Sequence, residues 1–139
     1  MTGSDDVLRE LLAMDRIAVV GCSSTPGKAA HEVPAYLQDQ GYEIVPVNPF
    51  ADEILGEPAV ESLQDVEGDI DLVNVFRPSD ELEAIVDEVI ARKTAADDVE
   101  GLWAQLGIQD ADPEARAADA GLTVVSDRCM KIEHQRLES

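Results

Sequence analysis

Ile17-Ala18-Val19-Val20-Gly21-Cys22-Ser23-Ser24-Thr25-Pro26-Gly27-Lys28 is an apolar run of strand length that breaks straight into a glycine-bearing loop. Ala29 to Gln40 then carries apolar side chains at helical spacing. The same juxtaposition recurs along the chain. Tyr42 to Val45 runs into Pro46-Val47-Asn48-Pro49, Ile70 to Val75 into Phe76-Arg77-Pro78, Gly101 to Trp103 into Gln105-Leu106-Gly107, and Leu122 to Val125 into Ser126-Asp127-Arg128-Cys129. Strands alternating with helices predict a three-layer α/β sandwich with a parallel sheet of about five strands and right-handed crossovers. In such a sheet the carboxyl ends of the strands face the ligand crevice, so the five clusters are expected to converge on one place.

Helical spacing also predicts a leading helix at Val7 to Met14, further helices at Glu81 to Lys93 and Pro113 to Ala120, and a last one at Met130 to Leu137. Gly41 and Gly121 stand where helices should stop. Ala51 to Asp69 is punctuated by Gly56, Pro58 and Gly68, with one short extended piece expected at Glu57 to Val60.

The 139 residues, 45% of them hydrophobic, fit a single domain spanning 1–139 with a real core. No stretch approaches the roughly 20 apolar residues of a membrane helix, and Met1 to Asp6 is polar and acidic, unlike a signal segment. A soluble, cytoplasmic protein without a membrane partner is expected. Two cysteines, Cys22 and Cys129, are too few for a disulfide scaffold and too far apart for a zinc or CxxC motif, so free thiols are the default.

Thirty acidic residues against ten basic ones give a net charge of -20, far above the magnitude of roughly 2–8 that keeps a small domain soluble. The carboxylates are spread evenly rather than gathered in a tail, and only three of the ten bases are Lys. That pattern resembles the acidic proteins of extreme halophiles, where molar salt shrinks the Debye length to about 3 Å. Such a surface makes nucleic acid a poor partner.

The first loop opens a helix, so its backbone N–H groups and the helix N-terminus suit a phosphate. It is not G-x-G-x-x-G, because Ser23 takes the second glycine's place, and Asn48 stands where a nicotinamide-binding fold would put an acid on the ribose. Nor is it G-x-x-x-x-G-K-[ST], because Gly21 to Gly27 is one residue too long and Ala29 follows Lys28. Four of the ten bases, Lys28, Arg77, Arg128 and Lys131, lie in or just beyond the loop clusters. Together they predict an anion pocket, with local pairing to carboxylates as the plainer reading of Arg77 and Arg128.

Gly21-x-Ser23-x-x-Pro26-x-Lys28, Tyr36-Leu37, Gly41-Tyr42, Pro46-Val47-Asn48-Pro49, Glu53-Ile54-Leu55-Gly56, Val75-Phe76-Arg77, Trp103-x-Gln105-x-Gly107 and Asp127-Arg128-Cys129-x-Lys131-x-Glu133 run in one register from about Arg16 to Leu137. This set resembles the stand-alone CoA-binding domain proteins, related to the N-terminal domain of the succinyl-CoA synthetase alpha subunit. The resemblance implies a Rossmann-like domain that binds coenzyme A, or an acyl-CoA, at the carboxyl edge of the sheet. Gly21, Ser23, Ser24, Pro26 and Lys28 would hold the phosphates. Val47, Asn48 and Pro49 would flank the adenosine end, and Phe76, Arg77 and Gln105 would line the next part of the groove. Thr94 to Glu100 departs from the pattern, being longer and more acidic than the short glycine-containing turn usual before the Trp-x-Gln strand.

The resemblance leaves the use of the site open. The leading reading is a non-catalytic carrier, sensor or accessory module, since no nucleophile, base and orienter set is recognisable. One alternative is a CoA-dependent ligase component, or a thiol-redox enzyme in which Cys129, near Arg128 and Lys131, forms a mixed disulfide with CoA. Another is an NAD-binding oxidoreductase or regulator, against which Asn48 and Ser23 speak. His31 and His134 read as helix-surface or capping residues and Trp103 as core, while Pro34 falls inside the expected first crossover helix, where it removes a backbone donor, with an early kink or first-turn position as its explanation. An exposed helix face would allow a homodimer.

Overall fold

The computed structural model describes residues 4–138, so Met1 to Gly3 of the acidic leading stretch lie outside the described residues. The elements follow as α1 (Asp5–Leu12), β1 (Arg16–Val20), α2 (Ala29–Asp39), β2 (Glu43–Val47), β3 (Glu53–Ile54), β4 (Glu57–Pro58), β5 (Leu72–Val75), α3 (Leu82–Ala96), β6 (Gly101–Ala104), α4 (Ala111–Asp119), β7 (Thr123–Val125) and α5 (Met130–Glu138). Five strands pair in parallel in the order β2-β1-β5-β6-β7, while β3 and β4 make a separate antiparallel pair. From β1 the chain first steps outward to β2, then crosses back to β5 on the other side of β1. That reversal is the topological switch point of a doubly wound sheet, and a crevice opens outside the carboxyl ends of the strands there.

Strand alternation sorts the core into two layers. Ala18, Val20, Val45, Val47, Val73, Val75, Leu102 and Val124 pack with Leu82, Ile85, Val86 and Val89 of α3 and Ala117 of α4. Ile17, Val19, Ile44, Leu72, Trp103 and Val125 face the other way, onto Leu8, Leu11 and Leu12 of α1, Val33 and Leu37 of α2, and Met130 of α5. Each such Val, Leu, Ile or Met side chain contributes about 1.5–3 kcal/mol by leaving water. Gly101 shows how closely α1 sits on the sheet: a Cβ there would come 2.5 Å from Leu11 Cδ2 and 2.9 Å from Leu72 Cδ1.

Element boundaries moved for local reasons. The leading helix starts at Asp5 instead of Val7 because Ser4 caps it, its hydroxyl accepting the Val7 N–H at 3.3 Å. β2 runs on through Pro46 to Val47. The Pro46 carbonyl accepts the Val60 N–H at 3.0 Å on the sheet's outer edge, so the missing proline N–H also faces outward and costs no ladder bond. The extended piece expected at Glu57 to Val60 divides into β4 and a single parallel bridge from Val60 to Val47. Among the described residues no helix is long and apolar enough to cross a membrane.

Thr94 to Glu100 is a correction, because what reads as a loop begins as helix. α3 continues to Ala96, and Asp97 closes it at φ 55 with its N–H on the Lys93 carbonyl. Asp98 then turns inward and meets the buried Arg92 at 2.9 Å. Pro34 stands inside α2 as expected and is buried there, but as the sixth residue it lies past the first turn. His134 is a second correction. Its Nδ1 lies 2.7 Å from the Tyr36 hydroxyl and its ring stands edge-on to Tyr36 and Tyr42, so it packs α5 against α2 and caps nothing. Trp103 is wholly buried and donates its indole N–H to the Arg128 carbonyl at 2.8 Å.

Candidate functional site

A cleft of about 610 Å³ lies at the switch point, between the ends of β1, β2 and β5 and the flank of α3. Gly21 ends β1 at φ +85, and a Cβ on it would come 2.8 Å from Arg77 Cδ. Its bare backbone therefore lets the Arg77 side chain cross the end of β1. The Gly21 N–H bonds the Val47 carbonyl at 3.1 Å, tying the first two strand ends together.

The loop after Gly21 is set by its own polar groups. The Ser23 N–H donates to the Ala30 carbonyl at 2.9 Å, the Thr25 N–H to Ser23 Oγ at 3.0 Å, and the Gly27 N–H to Glu32 Oε1 at 2.7 Å. Lys28 occupies the N-cap position of α2 with no side-chain capping bond. The N–H groups of Ala29 and Ala30 therefore have neither an intrahelical acceptor nor a capping oxygen.

Asn48 fixes the second strand's exit. Its side-chain amide donates to the Cys22 carbonyl at 2.9 Å, and its Oδ1 accepts the Phe50 N–H at 2.7 Å. That Asx turn projects Phe50 onto the rim of the cleft, 94% exposed. At the third strand's exit Arg77 turns back on Glu81, with Nε 3.1 Å from Oε1 and a terminal nitrogen 2.7 Å from Oε2. This hydrogen-bonded pairing holds the Glu81 carboxyl below the usual carboxylate range and raises the Arg77 guanidinium further. Cys22 lines the cleft floor, but burial pushes its thiol up to about 12, so it stays protonated and unreactive at neutral pH.

The far wall comes from Glu61, Ser62 and Leu63, with Ile85 and Glu88 of α3 beside them. Arg92 holds this wall in place. Its terminal nitrogens donate to the carbonyls of Leu63, Val66 and Gly68 at 3.1, 2.6 and 2.7 Å. Nε and one terminal nitrogen reach the Asp98 carboxylate, which also accepts the Ile70 N–H at 2.8 Å.

Of the expected site residues, Gly21, Ser23, Lys28, Val47, Asn48, Pro49, Phe76 and Arg77 line this one cleft. Ser24 and Pro26 are exposed on the outer turn of the loop and are not among the lining residues. Gln105 is buried at 4% exposure, with Oε1 3.4 Å from the Met130 N–H, where it supports the start of α5. Cys129 is half-buried immediately before α5, outside the lining. The cations divide as well. Lys28 and Arg77 face the cleft, whereas Arg128 lies 3.7 Å from Glu133 and the Lys131 ammonium stands 5.5 Å over the Tyr36 ring. Sequence reasoning missed the far wall, Leu63 and Ile85 above all. Their apolar periodicity is indistinguishable from that of ordinary core, and no local motif marks them.

The arrangement offers an anion donors and a lysine at one end, and an apolar floor of Val20, Val47, Leu63 and Ile85 to a flat or aliphatic group. A family model for the CoA-binding domain matches residues 15–135, and the chain belongs to that family. The chain is 41% identical over 128 residues to the uncharacterized protein YneT of Bacillus subtilis, covering 91% of each. A solved structure from Thermus thermophilus superposes with a TM-score of 0.88 at 41% identity, covering 96% of this chain and 98% of that one. An ADP-forming acetate–CoA ligase of Methanocaldococcus jannaschii is 34% identical over 88 residues, 63% of this chain but only 12% of the ligase.

Proposed function

Because the chain belongs to the CoA-binding domain family, we propose that this cleft binds coenzyme A or an acyl-CoA, and that the domain acts as a carrier, sensor or accessory module without chemistry of its own. The observation that carries the reading is the convergence of the Gly21–Lys28 loop, Asn48-Pro49 and Phe76-Arg77 on one cleft at the switch point. The phosphates meet Lys28, the Ser23 hydroxyl and the free first-turn N–H groups of α2. Adenosine lies against Val47, Asn48 and Pro49, and the pantetheine arm leads on past Phe76 and Arg77. Arg77 joins the phosphate contacts only by sharing or leaving Glu81. Cys22, a lining residue whose side chain packs into the core, is held protonated by burial, which supports a binding role over a catalytic one.

The test is thermal unfolding in molar KCl with and without CoA, with NAD and ATP as controls. Ligand at about 100 times its Kd adds about 2.7 kcal/mol, a midpoint shift on the order of 10 °C for a domain of this size. A shift with CoA alone is the expected result. No shift with CoA would reduce the family likeness to one of fold, and a shift with NAD alone would put the nicotinamide reading first.

A further inference from the structure

Pro34 is the sixth residue of α2, beyond the first turn in which a proline is accommodated. There it withholds the N–H that a helix would give to the carbonyl four residues back, and its ring crowds that same carbonyl. The carbonyl in question is that of Ala30, and it is occupied from outside the helix by the Ser23 N–H at 2.9 Å. Ser23 and Ala30 both line the cleft. The bond the helix lacks is thus the bond by which the loop is moored.

We propose that Pro34 is a positioning residue for the anion loop, keeping the Ala30 carbonyl open so that Ser23 can dock on α2; the proposal rests on the reading of the cleft as a CoA site. Ser23 is the hinge of the mooring. Its backbone N–H reaches α2 while its Oγ accepts the Thr25 N–H at 3.0 Å, so one residue sets both halves of the turn. The Glu32 carboxylate holds the far side through the Gly27 N–H at 2.7 Å. The mooring also decides which donors a ligand meets. The Ser23 N–H is spent on Ala30, so a phosphate is offered the Ala29 and Ala30 N–H groups, the Ser23 hydroxyl and Lys28 instead. A proline kept inside a helix, against its cost there, is thereby accounted for at the level of the site.

The test compares Pro34→Ala and Pro34→Gly with the native chain, reading hydrogen exchange at the Ser23 amide and CoA affinity by calorimetry. Both variants restore the helix donor, but alanine strengthens α2 where glycine weakens it. In both, Ser23 should exchange at least about fivefold faster and the Kd for CoA should rise about three- to tenfold, while Pro34→Ala unfolds no earlier than the native chain. Unchanged Ser23 exchange, or opposite changes in the two variants that track helix stability, would overturn the proposal. So would faster exchange with undiminished CoA affinity. If the native chain binds no CoA and Ser23 is still released in both variants, the ligand reading falls and the mooring by Pro34 stands.

Discussion

Replacing Arg92 with Met keeps most of the aliphatic stem and removes the guanidinium. All five of its N–H donors are used on the Asp98 carboxylate and the carbonyls of Leu63, Val66 and Gly68. The side chains of Arg92 and Asp98 are only 7% and 3% exposed, so this pair sits where water cannot replace what is lost. Removing one partner of a buried, hydrogen-bonded pair costs about 3–5 kcal/mol, against about 0–1 kcal/mol for an exposed pair such as Arg16–Glu43. Gly68 is exposed, so its carbonyl can turn to solvent, which argues for about 4 kcal/mol and against the upper limit. A domain stable by about 5–15 kcal/mol still folds with that loss. Urea unfolding followed by the fluorescence of Trp103, the only tryptophan, reads it directly. Adding Asp98→Asn to Arg92→Met should cost less than the two single changes summed, because the uncompensated charge goes with its partner. The wall residues Glu61 and Ser62 precede the clamped Leu63, so CoA affinity should fall in the same variant. A stability loss below about 1 kcal/mol would refute the reasoning, since it would mean that the clamp behaves like a surface ion pair.

Two further outcomes follow from thiol placement and from charge. Iodoacetamide at about pH 8 should label the half-buried Cys129 and spare Cys22 until the chain is unfolded, as peptide mapping by mass will read. Folding holds Cys22 in its protonated form, so its contribution to stability is complete below the ordinary thiol range and is lost as pH rises toward about 12; equal labelling of both thiols in the folded protein would contradict this. Raising KCl from about 0.1 M to about 1 M shortens the Debye length from roughly 10 Å to 3 Å. With a net charge of -20, the unfolding midpoint should rise, and a fall would remove the halophile reading.

The sheet was legible because each strand carries its own apolar run and each exit its own punctuation. Gly21, Asn48 and Arg77 were legible for the same reason, each standing within two residues of a strand end. What local pattern cannot show is a partner chosen across the fold. Gln105 follows β6 in register with the other exits, yet its side chain is claimed by the first turn of α5, a contact made 25 residues further on. Arg92 reads as one more polar residue late in a helix, and nothing nearby announces three carbonyl acceptors from 63 to 68. Pro34 looks like a defect in α2 until Ser23 is seen to use what it leaves behind.

Cations in a chain this acidic looked like markers of an anion site, and the structure narrows that argument to one side chain. Arg16, Arg77, Arg92, Arg116, Arg128 and Arg136 all stand in ion pairs. Lys93 donates to the Val99 carbonyl at 3.0 Å, and Lys131 rests over Tyr36. Among the described residues, Lys28 is the cleft-lining cation without a carboxylate partner. An exposed lysine in a field this negative would gain by pairing with one of the thirty acids. Unpaired beside the open N-terminus of α2, it fits a charge available to an anion that arrives from outside. Arg77, bound to Glu81 in the meantime, is the second cation such an anion can recruit, at the expense of that bond.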